Sequence, residues 1–127
     1  MDLEYVPIMK RPRTLLIDLD GCIFRQGNRW PDIAVDPVKD LLPGVKKKLA
    51  EANLAGHKII ILTARTWPEK SLTERQLREA GVKYDTLICG LPTGQRILIN
   101  DRKNEEDTPM AVAVNLRRDE GLEGVEL

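Results

Sequence analysis

The sequence TLLIDLDG at residues 14–21 decides the fold. Its first six residues form a compact apolar run that ends in an Asp and a Gly, as a buried strand of an α/β sheet does where it enters a polar loop. The sequence HKIIIL at residues 57–62 repeats this pattern and is followed by Thr-Ala-Arg. Two such runs separated by a helical pattern predict parallel strands joined by a crossover helix.

Further helices and strands are predicted around these two runs. Apolar residues at helical spacing, with a Pro at the start and a Gly after the end, predict a helix over residues 43–55. Pro68 and the capping-box spacing Ser71-x-x-Glu74 both mark the start of a second helix near these residues, and Gly81 closes it. Three more short apolar runs bring the number of predicted strands to five; they lie at residues 84–89, 97–100 and 110–116.

Length and composition describe one domain and exclude several classes of protein. With 127 residues, 42% hydrophobic and 31% charged, the chain can build one core, so we expect a single domain with an arm at 1–13 and a polar tail at 117–127. Twenty basic residues balance twenty acidic ones, so no net charge draws the molecule to DNA, RNA or a membrane. Cys22 and Cys89 lack partners at metal-ligand spacing and no apolar stretch can span a bilayer, which predicts a cytoplasmic protein with reduced thiols.

Carboxylates at the predicted strand ends indicate a metal site. Ligands of open parallel sheets bind beyond the carboxyl ends of the strands. Asp18 and Asp20, at one strand end, place two carboxylates roughly 6 to 7 Å apart. A hard divalent cation would neutralise this pair, and Asp101 at the end of another predicted strand would add a third carboxylate. The sequence therefore predicts a Mg²⁺ site at these three residues.

The same residues fit the hydrolysis of a phosphate monoester. Asp18 is placed to attack phosphorus and form an aspartyl-phosphate, while Asp20 would act as general acid and then as general base. The Thr63 hydroxyl would donate to a phosphoryl oxygen. Ala64 and Arg65, which follow it, are further candidates for contact with the phosphate. Most of the reduction in the barrier would be electrostatic.

Three motifs together resemble the haloacid dehalogenase (HAD) superfamily of aspartate-nucleophile phosphatases. DLDG, ILTAR and LIND occur in this order, each at a predicted strand end, within residues 14–116. The resemblance implies a three-layer α/β/α domain with a Rossmann-like, mostly parallel five-stranded sheet in the order 3-2-1-4-5. It assigns Asp18 as nucleophile and Mg²⁺ ligand, and Asp20 as acid/base and as a ligand through its backbone carbonyl. It assigns Thr63 to the phosphate and Asp101 to Mg²⁺.

Two positions depart from the pattern of the family. Members usually carry a Lys shortly before the last acidic motif, but the sequence CGLPTGQR places Leu91 there. Arg96 is the nearest replacement, because it would supply a fixed cation with planar donors to the phosphate. Lys70 and Lys83 are alternatives if their loops fold inward. The last motif is commonly a pair of acids, and here Asn100 replaces the first of them.

The spacing of the motifs leaves no space for a cap domain. Only 42 residues separate Asp20 from Thr63, and a helix and a strand occupy much of that interval. A capless relative is open to large or polymeric substrates, or is closed by a neighbouring subunit in a homo-oligomer. Among capless members, the sequence is most similar to small phosphatases of sugar, capsule or nucleotide-sugar metabolism. This resemblance implies a phosphorylated small molecule as substrate and Mg²⁺ as cofactor.

Two other functions remain open. An open site and arginines near the N-terminus also fit a polynucleotide 3′-phosphatase that acts on nucleic-acid ends. The missing Lys and the presence of Asn100 fit a catalytically weak HAD-like binding or scaffold protein. Phe24 and Trp30, in the loop after Asp20, would either stack on a base or sugar or pack that loop onto the domain.

Overall fold

A parallel sheet with two crossover helices forms the centre of the fold. The structure, a computed structural model, describes residues 6–26, 35–102 and 109–127. Within these ranges three strands pair in the order β1-β2-β3; they are β1 (Thr14–Asp18), β2 (Lys58–Leu62) and β3 (Thr86–Ile88). Helix α1 (Val45–Leu54) connects β1 to β2, and helix α2 (Lys70–Ala80) connects β2 to β3. Neither described helix has the length and apolar character that crossing a bilayer requires.

The central strand β2 lies in the core of the domain. Ile59 and Ile61 are fully buried, and they share one face of the sheet because alternate residues of a strand point the same way. Leu49 of α1 and Leu77 of α2 are also fully buried and belong to the same core cluster. Burial of each such side chain contributes about 1.5 to 3 kcal/mol. The apolar run that predicted a strand therefore also supplies the centre of the core.

A short 3-10 helix, Trp67–Glu69, precedes α2 and carries the capping box. The Thr66 N–H and hydroxyl contact Glu69 Oε1 at 3.2 and 2.6 Å. Helix α2 begins at Lys70, close to the predicted start, but Ser71 and Glu74 both lie inside it, so the capping box is at Thr66 and Glu69 and not at the predicted pair. Two patterns of the same spacing follow one another here, at residues 66–69 and 71–74, and the one that starts the helical turn is the earlier one.

The structure confirms the 3-2-1 part of the predicted strand order, but the described residues form no fourth or fifth strand. Residues 97–100 and 110–116 have no strand partner, and Ile97 and Ile99 are 80% and 90% exposed. Strand β1 is consequently an outer strand, and its Leu16 is 46% exposed. An apolar run favours burial of a segment, whereas a strand also requires its backbone to pair with another strand, and within the described ranges residues 97–100 and 110–116 do not pair with the open edge of β1. The described part is thus an α/β open sheet of three strands.

The C-terminal segment, residues 117–127, packs against the rest of the domain. Leu122 is 2% exposed, and its N–H donates to the Pro43 carbonyl at 2.8 Å. Lys48 Nζ donates to the Val125 carbonyl at 2.6 Å. The composition of this segment predicts a polar tail or a short terminal turn, and the structure shows turns that are anchored by a buried leucine.

Candidate active site

Three of the predicted site residues lie at one edge of the sheet. Asp18 ends β1 and pairs in register with Leu62, the last residue of β2. Asp20 and Thr63 follow these two strand ends by two residues and one residue. Because the strands are parallel, their carboxyl ends meet at the same edge. The structure therefore brings Asp18, Asp20 and Thr63 to the edge at which the sequence placed them.

Arg65 binds the carboxylate of Asp20 with two donors. Its Nε donates to Oδ2 at 3.0 Å and its Nη2 donates to Oδ1 at 2.8 Å. The side chain of Arg65 is 1% exposed and that of Asp20 is 11% exposed. Two parallel N–H···O bonds fix both the position and the orientation of a carboxylate. The guanidinium that the sequence offered as a phosphate contact thus lies buried against Asp20.

Helix α2 holds the other side of this guanidinium. Arg65 Nη1 donates to Thr73 Oγ1 at 3.1 Å and to Gln76 Oε1 at 2.6 Å. Thr73 is fully buried and Gln76 is 4% exposed. Sequence reasoning missed these two residues, although their positions carried a signal. They lie at helical spacing with the buried Leu77 and Ala80, and polar side chains on the buried face of a helix need a polar partner.

Thr63 links the loops that follow β2 and β3. It is 2% exposed, and its Oγ1 accepts a hydrogen bond from the Arg65 N–H at 3.0 Å. Its carbonyl accepts from the Leu91 N–H at 3.1 Å, and the Arg65 carbonyl accepts from the Gly90 N–H at 2.7 Å. Ala64 between them is exposed. These bonds attach the segment that begins at Gly90 to the edge of the sheet.

Arg96 extends from that segment to Asp18. Its Nη1 lies 2.9 Å from Asp18 Oδ1, and the two side chains are 39% and 41% exposed. An ion pair exposed to this degree contributes only about 0 to 1 kcal/mol to stability. The ion pair matters because it places the guanidinium of Arg96 beside Asp18, the predicted nucleophile. Arg96 is also the residue that the sequence indicated as the replacement for the Lys absent at Leu91.

Cys22 lies near the same charges. The pKa of the Cys22 thiol is raised to about 11, mainly by burial and then by the negative charge of Asp18, while Arg96 lowers it and Asp119 adds a smaller increase. A thiol with this pKa is protonated near neutral pH and is a weak nucleophile. Cys22 is therefore assigned no chemical step. Burial also raises the pKa of Cys89, which is 1% exposed in the core.

The predicted metal ligands are only partly assembled. Asp101 is exposed on the segment without a strand partner, and beside it Asn100 Nδ2 donates to the Met110 carbonyl at 3.2 Å. No three His, Cys, Asp or Glu side chains of the described ranges form a group that could hold a metal ion. The chemistry of the donors nevertheless suits Mg²⁺, which takes oxygen ligands and often only one or two carboxylates, with water and phosphate completing its shell. Asp18 provides one such carboxylate.

Two aromatic residues of the loop after Asp20 had two interpretations. Phe24 is fully buried in the core, so it packs the loop onto the domain and offers no surface for stacking. Trp30 lies outside the described residues. The exposed aromatic residue at this edge is instead Trp67, 58% exposed, with Lys70 Nζ 5.3 Å from its ring centroid. Its indole lies against Gly90, where an added Cβ would come within 2.8 Å of Nε1.

Comparison with known proteins gives similar structures and no family. No protein-family model matches the chain, and no curated protein matches it. A chain of the Pnkp1/Rnl/Hen1 complex is similar at a TM-score of 0.52 and 28% identity over 68% of this chain. A chain of the Pnkp1/Rnl/Hen1 RNA repair complex is similar at a TM-score of 0.52 and 29% identity over 67% of this chain. The matches cover 30% and 28% of those longer chains, so this protein shares its fold with less than a third of a chain from an RNA repair assembly.

Proposed function

We propose that this protein is a phosphatase that removes phosphate from phosphorylated ends of nucleic acids through an aspartyl-phosphate on Asp18. The observation that carries the proposal is the arrangement of two carboxylates at one sheet edge, each with its own guanidinium. Asp18 pairs with Arg96 at an exposed position, and Asp20 pairs with Arg65 at a buried one. A surface nucleophile beside a cation and a second, immobilised carboxylate are what transfer of a phosphoryl group requires.

The two carboxylates divide the reaction between them. Asp18 attacks phosphorus, the bond from phosphorus to the ester oxygen breaks, and Asp20 gives its proton to the leaving oxygen. Asp20 then takes a proton from water, whose oxygen attacks phosphorus and restores the Asp18 carboxylate as phosphate leaves. Such acid/base assistance accelerates a reaction by about 10² to 10⁴-fold. The two donors of Arg65 fix the orientation of the Asp20 carboxylate for both proton transfers.

The neighbouring groups would bind the phosphoryl oxygens. Arg96 is exposed enough to share its planar donors between Asp18 and a phosphate, as a bidentate cation does. The Thr63 hydroxyl and the backbone N–H of the exposed Ala64 are further donors at this edge. Arg65 acts from behind Asp20, and we assign it to positioning the carboxylate.

The proposal includes Mg²⁺ as cofactor. Asp18 would hold it with one carboxylate oxygen, Asp20 with its backbone carbonyl and Asp101 with a second carboxylate. The ion would neutralise the charge that develops on the phosphoryl oxygens.

Two observations favour a nucleic-acid end over a sugar phosphate. The similar chains belong to an assembly described as an RNA repair complex. In addition, Trp67 is exposed in the segment that follows Arg65, and its ring lies beside the Lys70 ammonium. An exposed indole next to a cation is the kind of surface on which a nucleobase stacks, with about 1 to 3 kcal/mol for each base. We therefore favour a nucleic-acid end and propose the form that the sequence analysis left open, a 3′-phosphorylated strand, as the substrate.

The test is phosphate release from a panel of substrates in the presence of Mg²⁺. We expect release from a 3′-phosphorylated oligoribonucleotide and little from sugar phosphates, and we expect activity on the oligonucleotide to fall as salt rises. The Asp18→Asn variant should release no phosphate while its circular dichroism and melting temperature match those of the wild type.

Each alternative has its own outcome. Phosphate release from sugar phosphates and not from the oligonucleotide would show that the substrate is a small molecule. Equal activity of the wild type and Asp18→Asn would contradict the aspartyl-phosphate. An inactive wild type that still binds the oligonucleotide would indicate a binding or scaffold protein.

A further inference from the structure

Asp119 has a backbone conformation that side chains rarely adopt. Its φ is 66°, and of all the described residues other than glycine it alone has a positive φ. This left-handed conformation costs about 1 to 2 kcal/mol for most residues, and Asp and Asn tolerate it best. An unfavourable conformation of this kind persists where surrounding contacts impose it, and it often accompanies a functional site.

The contacts of Asp119 are with the loop that follows Asp20. Its backbone N–H donates to the Gly21 carbonyl at 2.9 Å, and its carboxylate Oδ1 accepts from the Gln26 N–H at 2.6 Å. Gly21 and Gln26 are the two ends of a six-residue loop that begins with a turn at 21–23, and this loop is called the turn of residues 21–26 below. One residue from the C-terminal segment contacts both of its ends. The adjacent Arg118 covers the same turn, since its Cγ lies 3.5 Å from the position of a Cβ on Gly21.

The C-terminal segment itself is held firmly on its other side. The Leu122 N–H bonds to the Pro43 carbonyl, and Leu122 is buried. At Gly44 an added Cβ would lie 2.5 Å from the Glu123 nitrogen, which shows how closely the two backbones approach.

The middle of the turn is held separately, since the Arg25 N–H donates to the Asp40 carbonyl at 2.7 Å and the Ile23 carbonyl accepts from the Leu42 N–H at 2.9 Å. Asp119 therefore connects the two ends of the turn to the C-terminal segment.

We infer that Asp119 is a positioning residue that holds the turn of residues 21–26, and with it the backbone of Asp20, in the arrangement used for catalysis. The inference rests on the proposed function of Asp20. Arg65 holds the side-chain carboxylate of Asp20. Asp119 holds the turn that follows Asp20 in the chain, and so acts on the backbone of Asp20. Displacement of a catalytic group by about 1 Å can lower a rate by about 10²-fold, so a loosened turn should lower kcat more than it raises KM.

Two substitutions of Asp119 distinguish the effect of its carboxylate from the effect of its backbone conformation. Asp119→Asn keeps an oxygen acceptor for the Gln26 N–H and tolerates the positive φ. Asp119→Gly adopts the conformation freely but removes the acceptor. Glu120→Gln, at the exposed neighbouring position, is the matched control for loss of one acidic charge. Hydrogen–deuterium exchange of residues 20–26 and the values of kcat and KM on the 3′-phosphorylated oligoribonucleotide are measured for all four proteins.

We expect faster exchange in the turn and a fall in kcat of about tenfold or more for Asp119→Gly, with wild-type behaviour for Asp119→Asn and Glu120→Gln. Unchanged exchange in Asp119→Gly would show that the carboxylate does not hold the turn. Faster exchange with an unchanged kcat would show that the turn does not position Asp20. Both results leave an active wild type and so leave the phosphatase proposal standing, whereas an inactive wild type would overturn the proposed function and the catalytic part of this inference together.

Discussion

Asp20 and Arg65 are 45 positions apart in the sequence, and they meet because their strands end side by side. The strands β1 and β2 are neighbours and parallel, so the residues that follow them emerge at the same edge of the sheet. The guanidinium is almost completely buried, and it donates to the Asp20 carboxylate and to two polar residues of α2. The catalytic candidate Asp20 is therefore held by the helix that follows β2 as well as by its own strand.

Replacement of Arg65 should affect both stability and turnover. Removing one partner of a buried ion pair leaves the other charge uncompensated, which costs about 3 to 5 kcal/mol. We expect Arg65→Met to lower the free energy of unfolding by about this amount. Arg65→Lys keeps the charge but not the paired donors, so it should lower kcat with little change in KM. Urea denaturation and steady-state kinetics measure these quantities.

The matched control for Arg65 is Arg75→Met. Arg75 is on the exposed face of α2, with 59% of its side chain accessible and Glu79 3.9 Å away. Its replacement should change the free energy of unfolding by less than about 1 kcal/mol and leave kcat unaltered. If Arg65→Met and Arg75→Met change the free energy of unfolding and kcat equally, burial of the ion pair between Asp20 and Arg65 does not contribute to stability or turnover.

Replacement of Arg96 should affect substrate binding and leave stability almost unchanged. The ion pair of Arg96 with Asp18 is exposed, so its loss should change the free energy of unfolding by no more than about 1 kcal/mol. If Arg96 takes the place of the missing Lys, Arg96→Ala should raise KM for the phosphorylated substrate by about tenfold, which corresponds to about 1.4 kcal/mol of binding. Arg96→Lys should recover part of this loss. An unaltered KM in Arg96→Ala, with Arg117→Ala as the surface control, would remove Arg96 from the site.

The rate at which the Cys22 thiol is alkylated depends on the charges of Asp18 and Arg96, so it tests their positions without an activity assay. Its pKa of about 11 predicts that alkylation by iodoacetamide accelerates with rising pH through the alkaline range, because only the thiolate reacts. Asp18 raises this pKa and Arg96 lowers it. In protein kept in EDTA, Asp18→Asn should therefore speed alkylation at a fixed pH, and Arg96→Ala should slow it. Mass spectrometry of the Cys22 peptide follows the reaction, and shifts of the same sign in both variants would contradict the arrangement.

Local patterns were sufficient to predict the strands and helices that build this edge. The run before Asp18 and the run before Thr63 form β1 and β2 within one residue of the predicted ends, because a short apolar run followed by a polar loop has few other solutions in a parallel sheet. The residues at those ends followed from topology alone, since parallel strands finish on the same side. The polar residues at this edge that are candidates for the site could therefore be identified from the sequence.

Contacts between distant segments were not accessible in the same way. Helical spacing places Thr73 and Gln76 on the buried face of α2, but no local pattern shows that their polar partner is the guanidinium of Arg65. The acidic character of residues 117–127 predicts solvent exposure, yet a single Leu122 is enough to anchor the segment. The apolar run at 97–100 predicts a strand, but its pairing depends on a partner edge that composition does not specify.

Anchoring of the C-terminal segment can be tested at a glycine. Gly121 has a φ of 82°, and a Cβ there would collide with the Pro43 carbonyl and lie 2.9 Å from the Pro43 nitrogen. Gly56 has a φ of 85° with nothing within 4 Å, so it is the matched control for the backbone conformation alone. We expect Gly56→Ala to cost about 1 to 2 kcal/mol. Gly121→Ala should cost more and should also speed hydrogen exchange at Leu122, and equal costs would mean that the close approach to Pro43 is relieved without strain.

Replacement of the exposed Trp67 tests whether the substrate is a nucleic acid or a small molecule. If a base stacks on this ring, Trp67→Ala should raise KM for the 3′-phosphorylated oligoribonucleotide by about 5-fold or more, the lower end of what loss of one stacked base produces. The same variant should leave the hydrolysis of p-nitrophenyl phosphate unchanged, because that substrate has no base to place there. Trp67→Phe retains an aromatic face and should recover most of the affinity. Leu54→Ala, at an 86% exposed apolar position on α1, is the control, and a KM for the oligonucleotide that is as insensitive to Trp67→Ala as to Leu54→Ala would rule out stacking on this residue.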